Sequence, residues 1–249
     1  MSPRLLAPKL TNPDICVRLA RDEAEIEEAN HIVCRNYINQ GLWDSDEPFR
    51  QNPHMHSPVR TVFVVENAGR IVATASIVRD SAMGLPADKF QPEIMRRLRA
   101  GSGRLAEVSA LAVDKTCEEQ STLILFLFKY VYQYSFYYAA VDQFVAIPTV
   151  RHVQFYKKIC GFEPASSSGE YSYINSHVHL QLLTGDLLQA HQDFYERYES
   201  GGHDQDNFYR FLLVDEHPSL HFPDRRLMRR PREIDWAAQA RLCKMPMVV

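Results

Sequence analysis

No two cysteines in this 249-residue chain stand at CxxC spacing, and the five present, Cys16, Cys34, Cys117, Cys160 and Cys243, form an odd set. Both a zinc ribbon and a disulfide framework are disfavoured, so a reducing cytoplasm is the expected compartment. Nor is either charge in excess: 28 Lys and Arg face 31 Asp and Glu, a formal net charge of -3. The electrostatic footprint of a nucleic-acid binder is missing, and any basic patch has to be local. The opening MSPRLLAPKLTNPD has neither the apolar segment nor the small-residue cleavage site of a secretory signal and reads as a short lead-in. The longest apolar run, Leu123 to Ala140, is broken by Lys129, Gln133 and Ser135. It reads as a helix buried against a sheet, not as an integral membrane span of about 20 apolar residues. The histidine pairs His54/His56 and His177/His179 lack a third ligand, so no metal site is expected.

What is present is an alternation of strand-like and helical runs. Ile15 to Ala20 alternates as a strand, and Asp22 to Ile38 places Ile26, Ala29, Val33 and Tyr37 on one helix face. Gln40 to Arg60 is polar and long enough for a binding loop. Thr61–Glu66 and Arg70–Arg79 form a hairpin across Asn67-Ala68-Gly69. After a crossover with a short helix near Pro92 to Arg99 comes Leu105 to Val113, LAEVSALAV, a central strand that carries a glutamate. Further on are a strand at Asp142 to Ile147, a helix at Thr149 to Cys160 stopped by Gly161-Phe162, and strands near Glu163 and Tyr171 to Leu183. The class is α/β of the α+β kind: a mixed central sheet flanked by helices. Residues 1–184 form the main domain, and residues 185–249 a helical extension whose last helix ends near Leu242.

Strand alternation puts Glu107, Ser109, Leu111 and Val113 on one side of the central strand and Ala106, Val108, Ala110 and Ala112 on the other. A helix packed on the small apolar face would leave Glu107 opposite it, short of water and in need of a specific partner.

The element order and the run RHVQFYKKICGF, Arg151 to Phe162, in which Tyr156 precedes a terminal Gly-Phe, resemble the GNAT acyltransferases. More narrowly, SPVRTVFVVE, the GLPADKF crossover and RLAEVSALAVD resemble the long-chain N-acyl amino acid synthases, including N-acyltyrosine synthases, which are related to the acyl-homoserine-lactone (autoinducer) synthases. Arg35 and Trp43 in CRNYINQGLW are covered by the same resemblance. It implies a GNAT fold and transfer of a fatty acyl group to an amino acid, with tyrosine as one acceptor. Two departures matter. The stretch Asp114 to Thr122, DKTCEEQST, has no glycine where GNAT enzymes cradle the coenzyme A diphosphate, and Glu118 and Glu119 would repel that group. Acyl carrier protein, presenting an acyl-phosphopantetheine, is therefore the expected donor in preference to acyl-CoA, with no permanently bound cofactor. Ala110 stands where the lactone synthases carry an arginine, which counts against lactone formation.

Amide formation from a thioester needs a neutral amine, a bound oxyanion and a proton for the departing thiolate. Glu107 is the candidate base, Tyr156 the candidate acid, and Ser109 the group that orients substrate or Glu107. Backbone N–H groups near Leu111, Ala112 and Val113 are candidates for the oxyanion. The acceptor's carboxylate calls for an arginine fork, for which Arg35, Arg60, Arg79 and Arg104 all qualify, Arg35 being favoured by the resemblance. The segment Asp224 to Arg232, DRRLMRRPR, with Arg225, Arg226, Arg229 and Arg230, would face an acidic carrier protein together with Lys157 and Lys158. The rival enzyme readings are a homoserine-lactone synthase or another amine acyltransferase. A non-catalytic acyl-group-binding regulator is the rival from another class, against which the joint presence of Glu107 and Tyr156 counts.

Overall fold

The computed structural model of the protein describes residues 7–45, 52–101, 103–165, 171–172, 178–198 and 208–230. Ile15–Leu19 forms β1. Asp22 caps α1 (Glu23–Asn39) by accepting the Glu25 N–H, with Glu23 and Glu25 at the positive end of the helix dipole. β2 (Arg60–Asn67) and β3 (Arg70–Arg79) make the expected hairpin. Its turn residues Ala68 and Gly69 have φ of 47° and 82°, the two positive values that match a two-residue turn to twisted strands. A 3-10 turn at Pro86–Lys89 and α2 (Pro92–Ala100) fill the crossover. There Arg99 holds both Asp80 and Asp88.

β4 (Leu105–Val113) leads into α3 (Gln120–Gln133), which runs on through one π turn at Tyr134–Tyr138. Then come β5 (Gln143–Ala146), a 3-10 turn at Val150–His152 and α4 (Val153–Cys160). Gly161 ends α4 at φ 70° with its N–H on the Tyr156 carbonyl, the left-handed cap that glycine adopts without steric cost. After β6 (Glu163–Pro164), the single strand expected over Tyr171 to Leu183 is divided. β7 (Tyr171–Ser172) and β8 (His179–Leu180) form a separate two-stranded sheet, with Leu180 also bridged to Thr149, and β9 (Leu183–Asp186) joins the main sheet. α5 (Leu187–Tyr198) follows, and β10 (Leu220–His221) returns to the sheet edge parallel to β1. The GGHDQD link, the helix expected near Leu242 and His177 lie outside the described residues.

The main sheet has the order β10-β1-β2-β3-β4-β5-β9-β6, with β1/β10 and β4/β5 parallel and the other pairs antiparallel. α1 covers one face with Ala29, Ile32 and Val33 on Val62, Val64 and Ala112. α3 fills the other with Phe126, Leu127, Tyr130 and Val131 against Phe63, Val65 and Ala75. Two of the polar groups that interrupt α3 have backbone acceptors: Lys129 Nζ donates to the Asp215 carbonyl at 2.6 Å and Gln133 Nε2 to that of Leu212 at 3.0 Å. Among the described residues no helix is long and apolar enough to cross a membrane.

One expectation is corrected by the geometry of β4. Thr74 lies opposite Ala112 while Ser76 lies opposite Ser109, so two residues of β4, Ala110 and Leu111, face one of β3. This is a β-bulge, with Ala110 at φ 54°. The extra residue switches faces. Ala110 and Ala112 pack under α1, on the side that Glu107 shares, whereas Leu111 and Val113 join Ala106 and Val108 against the α3 side.

Candidate active site

The same bulge creates the site. β4 pairs with β5 only at Leu105, Ala106 and Glu107, so beyond Glu107 the β5 side of β4 is unpaired. The strands part there and leave a groove of about 710 Å³, a volume suited to a ligand with a long apolar portion. Glu107, Ser109, Leu111, Ala112 and Val113 form its floor, Tyr37 and Trp43 one wall, and Tyr156 with Phe155 and His152 the other. Asp114 donates its N–H to Val72 on β3, so alternation turns the Val113 peptide to the open side, where its carbonyl accepts from Asn36 Nδ2 at 3.1 Å. The Val113 N–H is thereby aimed into the gap.

Glu107 is 4% exposed. Its Oε2 accepts the Ala87 N–H at 2.7 Å, from the 3-10 turn laid across the end of the strand. Burial raises its pKa to about 8; the Ala87 bond opposes this, and the Asp88 charge adds to it. Tyr156 is also buried, edge-on to Phe155 and Phe162, and burial pushes its hydroxyl far above the ordinary phenol range. It is a neutral O–H at any pH the protein meets. Trp43 is buried edge-on to Tyr37 with ring centroids 4.7 Å apart.

The arginines lie elsewhere. None of Arg35, Arg60, Arg79 and Arg104 lines the groove. Arg35 is exposed and pairs with Asp114 at 3.2 Å, and Arg104 pairs with Asp142 on the surface. Arg79, one residue past Val78, which lies opposite Glu107, points to the other face of the sheet. Arg60 is a staple: its guanidinium donates to Ser76 Oγ, the Met55 carbonyl and Asn30 Oδ1, all within 3.0 Å, tying the 3-10 turn at Pro53–His56 to α1 and β3.

The carboxy-terminal arginines are divided in their roles. Arg230 turns inward, pairs with Asp142, donates to the Val141 carbonyl at 2.8 Å and stacks 4.3 Å over Phe136. Arg225 pairs with Glu216 and Arg226 with Asp224 in exposed contacts, and Arg229 is exposed. Arg225 borders a separate cavity of about 490 Å³ beside Gln133 and Tyr138. The groove touches α3 at Gln120 and Ile124, so the two regions sit at opposite ends of that helix, roughly 20 Å apart at 1.5 Å per residue. Lys157 and Lys158 lie next to Tyr156, Lys157 paired with Glu163 at 3.3 Å. Most aromatic residues of α3 are core and do not line the groove.

Sequence reasoning missed several lining residues. Tyr37 was legible only as a core position of α1. His152, whose Nδ1 is 2.9 Å from Thr149 Oγ1, stood unremarked inside the GNAT-like run. His54, read only as one of a histidine pair without a third ligand, is 4% exposed, and Lys89 lies in the GLPADKF crossover with no role assigned to it. The loop after β4 uses its own amides: Asp114 accepts from the Thr116 N–H and Oγ1, and the Cys117 N–H bonds back to the Asp114 carbonyl. Among the described residues no group of three His, Cys, Asp or Glu is arranged to hold a metal ion.

Residues 28–184 match the family model described as N-acyl amino acid synthase FeeM. Among solved structures, the chain is similar to FeeM, an N-acyl amino acid synthase from uncultured soil microbes, at 24% identity and a TM-score of 0.62, covering 71% of this chain and 93% of that one. It is also similar to the AHL synthase LasI, at 13% identity and a TM-score of 0.54, covering 70% and 90%. Escherichia coli ElaA is similar at 10% identity and a TM-score of 0.50, covering 69% and 99%. No curated protein sequence matches closely enough to count as a relative.

Proposed function

The chain belongs to the FeeM family of N-acyl amino acid synthases and is an acyltransferase of GNAT fold, and on that premise we propose that it moves a long-chain acyl group from the phosphopantetheine of acyl carrier protein to the amino group of an amino acid, with tyrosine the first candidate. The observation that carries this reading is the meeting of a buried carboxylate and a buried phenol in one groove beside an unpaired strand edge.

In the proposed reaction, Glu107 as carboxylate takes a proton from the acceptor's ammonium, directly or through a water, and the amine attacks the thioester carbonyl. The tetrahedral oxyanion is met by the N–H of Val113 and, two residues earlier, Leu111, donors fixed before the reaction begins. The C–S bond then breaks, Tyr156 gives its proton to the sulfur, and the proton that the nitrogen loses returns to the phenolate. Ser109 lies beside Glu107 and positions the acceptor. A pKa near 8 makes Glu107 a stronger base than an ordinary carboxylate, at the cost of a smaller ionised fraction at neutral pH.

Carrier protein is the proposed donor because the loop at Asp114 to Glu119 offers no glycine cradle and two of its amides, those of Thr116 and Cys117, are already hydrogen-bonded to Asp114. Lys157 and Lys158, next to Tyr156, are the nearer cations for an acidic carrier; Arg225, Arg226 and Arg229 are the more remote ones. Cytoplasm, where such a carrier works, is the proposed location. The test is to incubate the purified protein with a long-chain acyl carrier protein and each amino acid in turn and weigh the products. N-acyl amino acid is expected, and no such product with any acceptor would overturn the reading.

A further inference from the structure

Among the described residues that line the groove there is a single carboxylic acid, Glu107, and a single lysine or arginine, Lys89. An amino-acid acceptor brings its own carboxylate into this cleft, where an uncompensated charge is costly. The four arginines that sequence reasoning offered for that carboxylate are outside the groove. Lys89 closes the 3-10 turn whose Ala87 N–H grips Glu107, so the same short turn positions the base and presents the cation. It makes no ion pair with another described residue. The carboxylate beside it in sequence, Asp88, is held by Arg99 and by the Leu85 N–H.

His54 is the second, independent feature. It lines the same groove, is 4% exposed, and its Nδ1 is buried with no hydrogen-bond partner among the described residues. Buried polar atoms are rarely left so, and one left so beside a ligand cleft points to a partner that arrives with the ligand. Burial first, and then the charge of Lys89, holds the imidazole below its ordinary pKa, against the opposing charge of Asp88. A neutral ring can turn an Nδ1–H toward an anion.

We propose that Lys89 and His54 together bind the carboxylate of the amino-acid acceptor, Lys89 by charge and His54 through Nδ1–H, so that the α-amino group is directed to Glu107. The inference rests on the N-acyl amino acid reading above and adds to it the group that makes the acceptor an amino acid and not a simple amine.

The test uses the full-length enzyme, a long-chain acyl carrier protein, and two acceptors: the best amino acid and its decarboxylated amine. Lys89→Met should raise KM for the amino acid about 10- to 100-fold, the range of one lost charge-assisted hydrogen bond. It should leave KM for the donor unmoved and erase the preference for amino acid over amine, while Lys89→Arg keeps much of that preference. His54→Gln should shift the preference the same way. Because Lys89 is exposed, its variant is expected to fold even if the His54 variant does not. A folded Lys89→Met enzyme with an unchanged preference overturns the carboxylate site and leaves the synthase reading standing. Equal loss on both acceptors also overturns it. A wild-type enzyme that acylates amines but no amino acid overturns both.

Discussion

The groove around Glu107 and the arginine-rich segment Asp224 to Arg230 are both dense in polar groups, but they treat those groups in opposite ways. In the segment, Arg225, Arg226 and Arg230 each pair with an acid of the chain, and Arg230 has two carbonyls and a ring as well. In the groove, Glu107 has one backbone donor for two oxygens, His54 Nδ1 has none among the described residues, and beyond Glu107 β4 has no sheet partner on one side. Charge density in sequence is therefore a poor guide to the candidate site. Incomplete satisfaction beside an open groove is a better one, because only groups that a ligand can reach have something left to exchange with it.

The most severe way to break this comparison is to remove the base. Glu107→Gln keeps the shape and the bond from Ala87 but cannot take a proton, and kcat should fall by about 10²- to 10⁴-fold in a folded enzyme. The same change should alter stability with pH. Glu107 is neutral in the folded protein up to about pH 8 but ionises at its ordinary 4.5 when unfolded, so the wild type loses stability as pH rises between those values. Thermal unfolding should show Glu107→Gln more stable than wild type at pH 8 and the gap closing toward pH 4.5. Tyr156→Phe should lower kcat about 10²-fold with KM little changed, measured against the same donor. Next in size is donor choice: kcat/KM for long-chain acyl carrier protein should exceed that for the matching acyl-CoA by at least about tenfold, equivalent to about 1.4 kcal/mol.

The segment should answer differently. Arg230→Ser removes an inward ion pair and a ring contact and should cost about 1–3 kcal/mol in denaturant unfolding. Arg225→Ser and Arg226→Ser remove exposed pairs and should leave unfolding little changed. Should carrier binding nonetheless weaken more on Arg225→Ser than on Lys158→Ser, the carrier docks at the far end of α3.

Most of the fold was legible because helices and strands here follow their periodicities, from the Asp22 cap to the Gly161 stop. Glu107 stood out for the same reason, a charge within an otherwise small and apolar strand. The bulge was not legible. Ala110 sits at φ 54° without the glycine or asparagine that usually marks that conformation, so alternation carried Ala110, Leu111, Ala112 and Val113 to the wrong faces. His54 and Lys89 were invisible for another reason. Their place is set by two short 3-10 turns that line one groove from separate parts of the chain, and no local pattern announces such a convergence. Arg230 pairs with Asp142, 88 residues away, and so read as one more surface charge.

The central claim is that Glu107 accepts the acceptor's proton, and the ratio of wild-type to Glu107→Gln rates across pH tests it most directly. The wild type reacts from the carboxylate and the ammonium, whereas the glutamine variant can use only an acceptor that is already a neutral amine, so the amine's ionisation does not cancel. The account predicts a ratio that is level below about pH 8 and falls above it, as solvent supplies the variant with neutral amine while Glu107 has no further ionisation to gain. A ratio that stays constant from pH 6 to pH 10 would contradict it, and would reduce Glu107 to a carboxyl that only holds the turn at Ala87 in place.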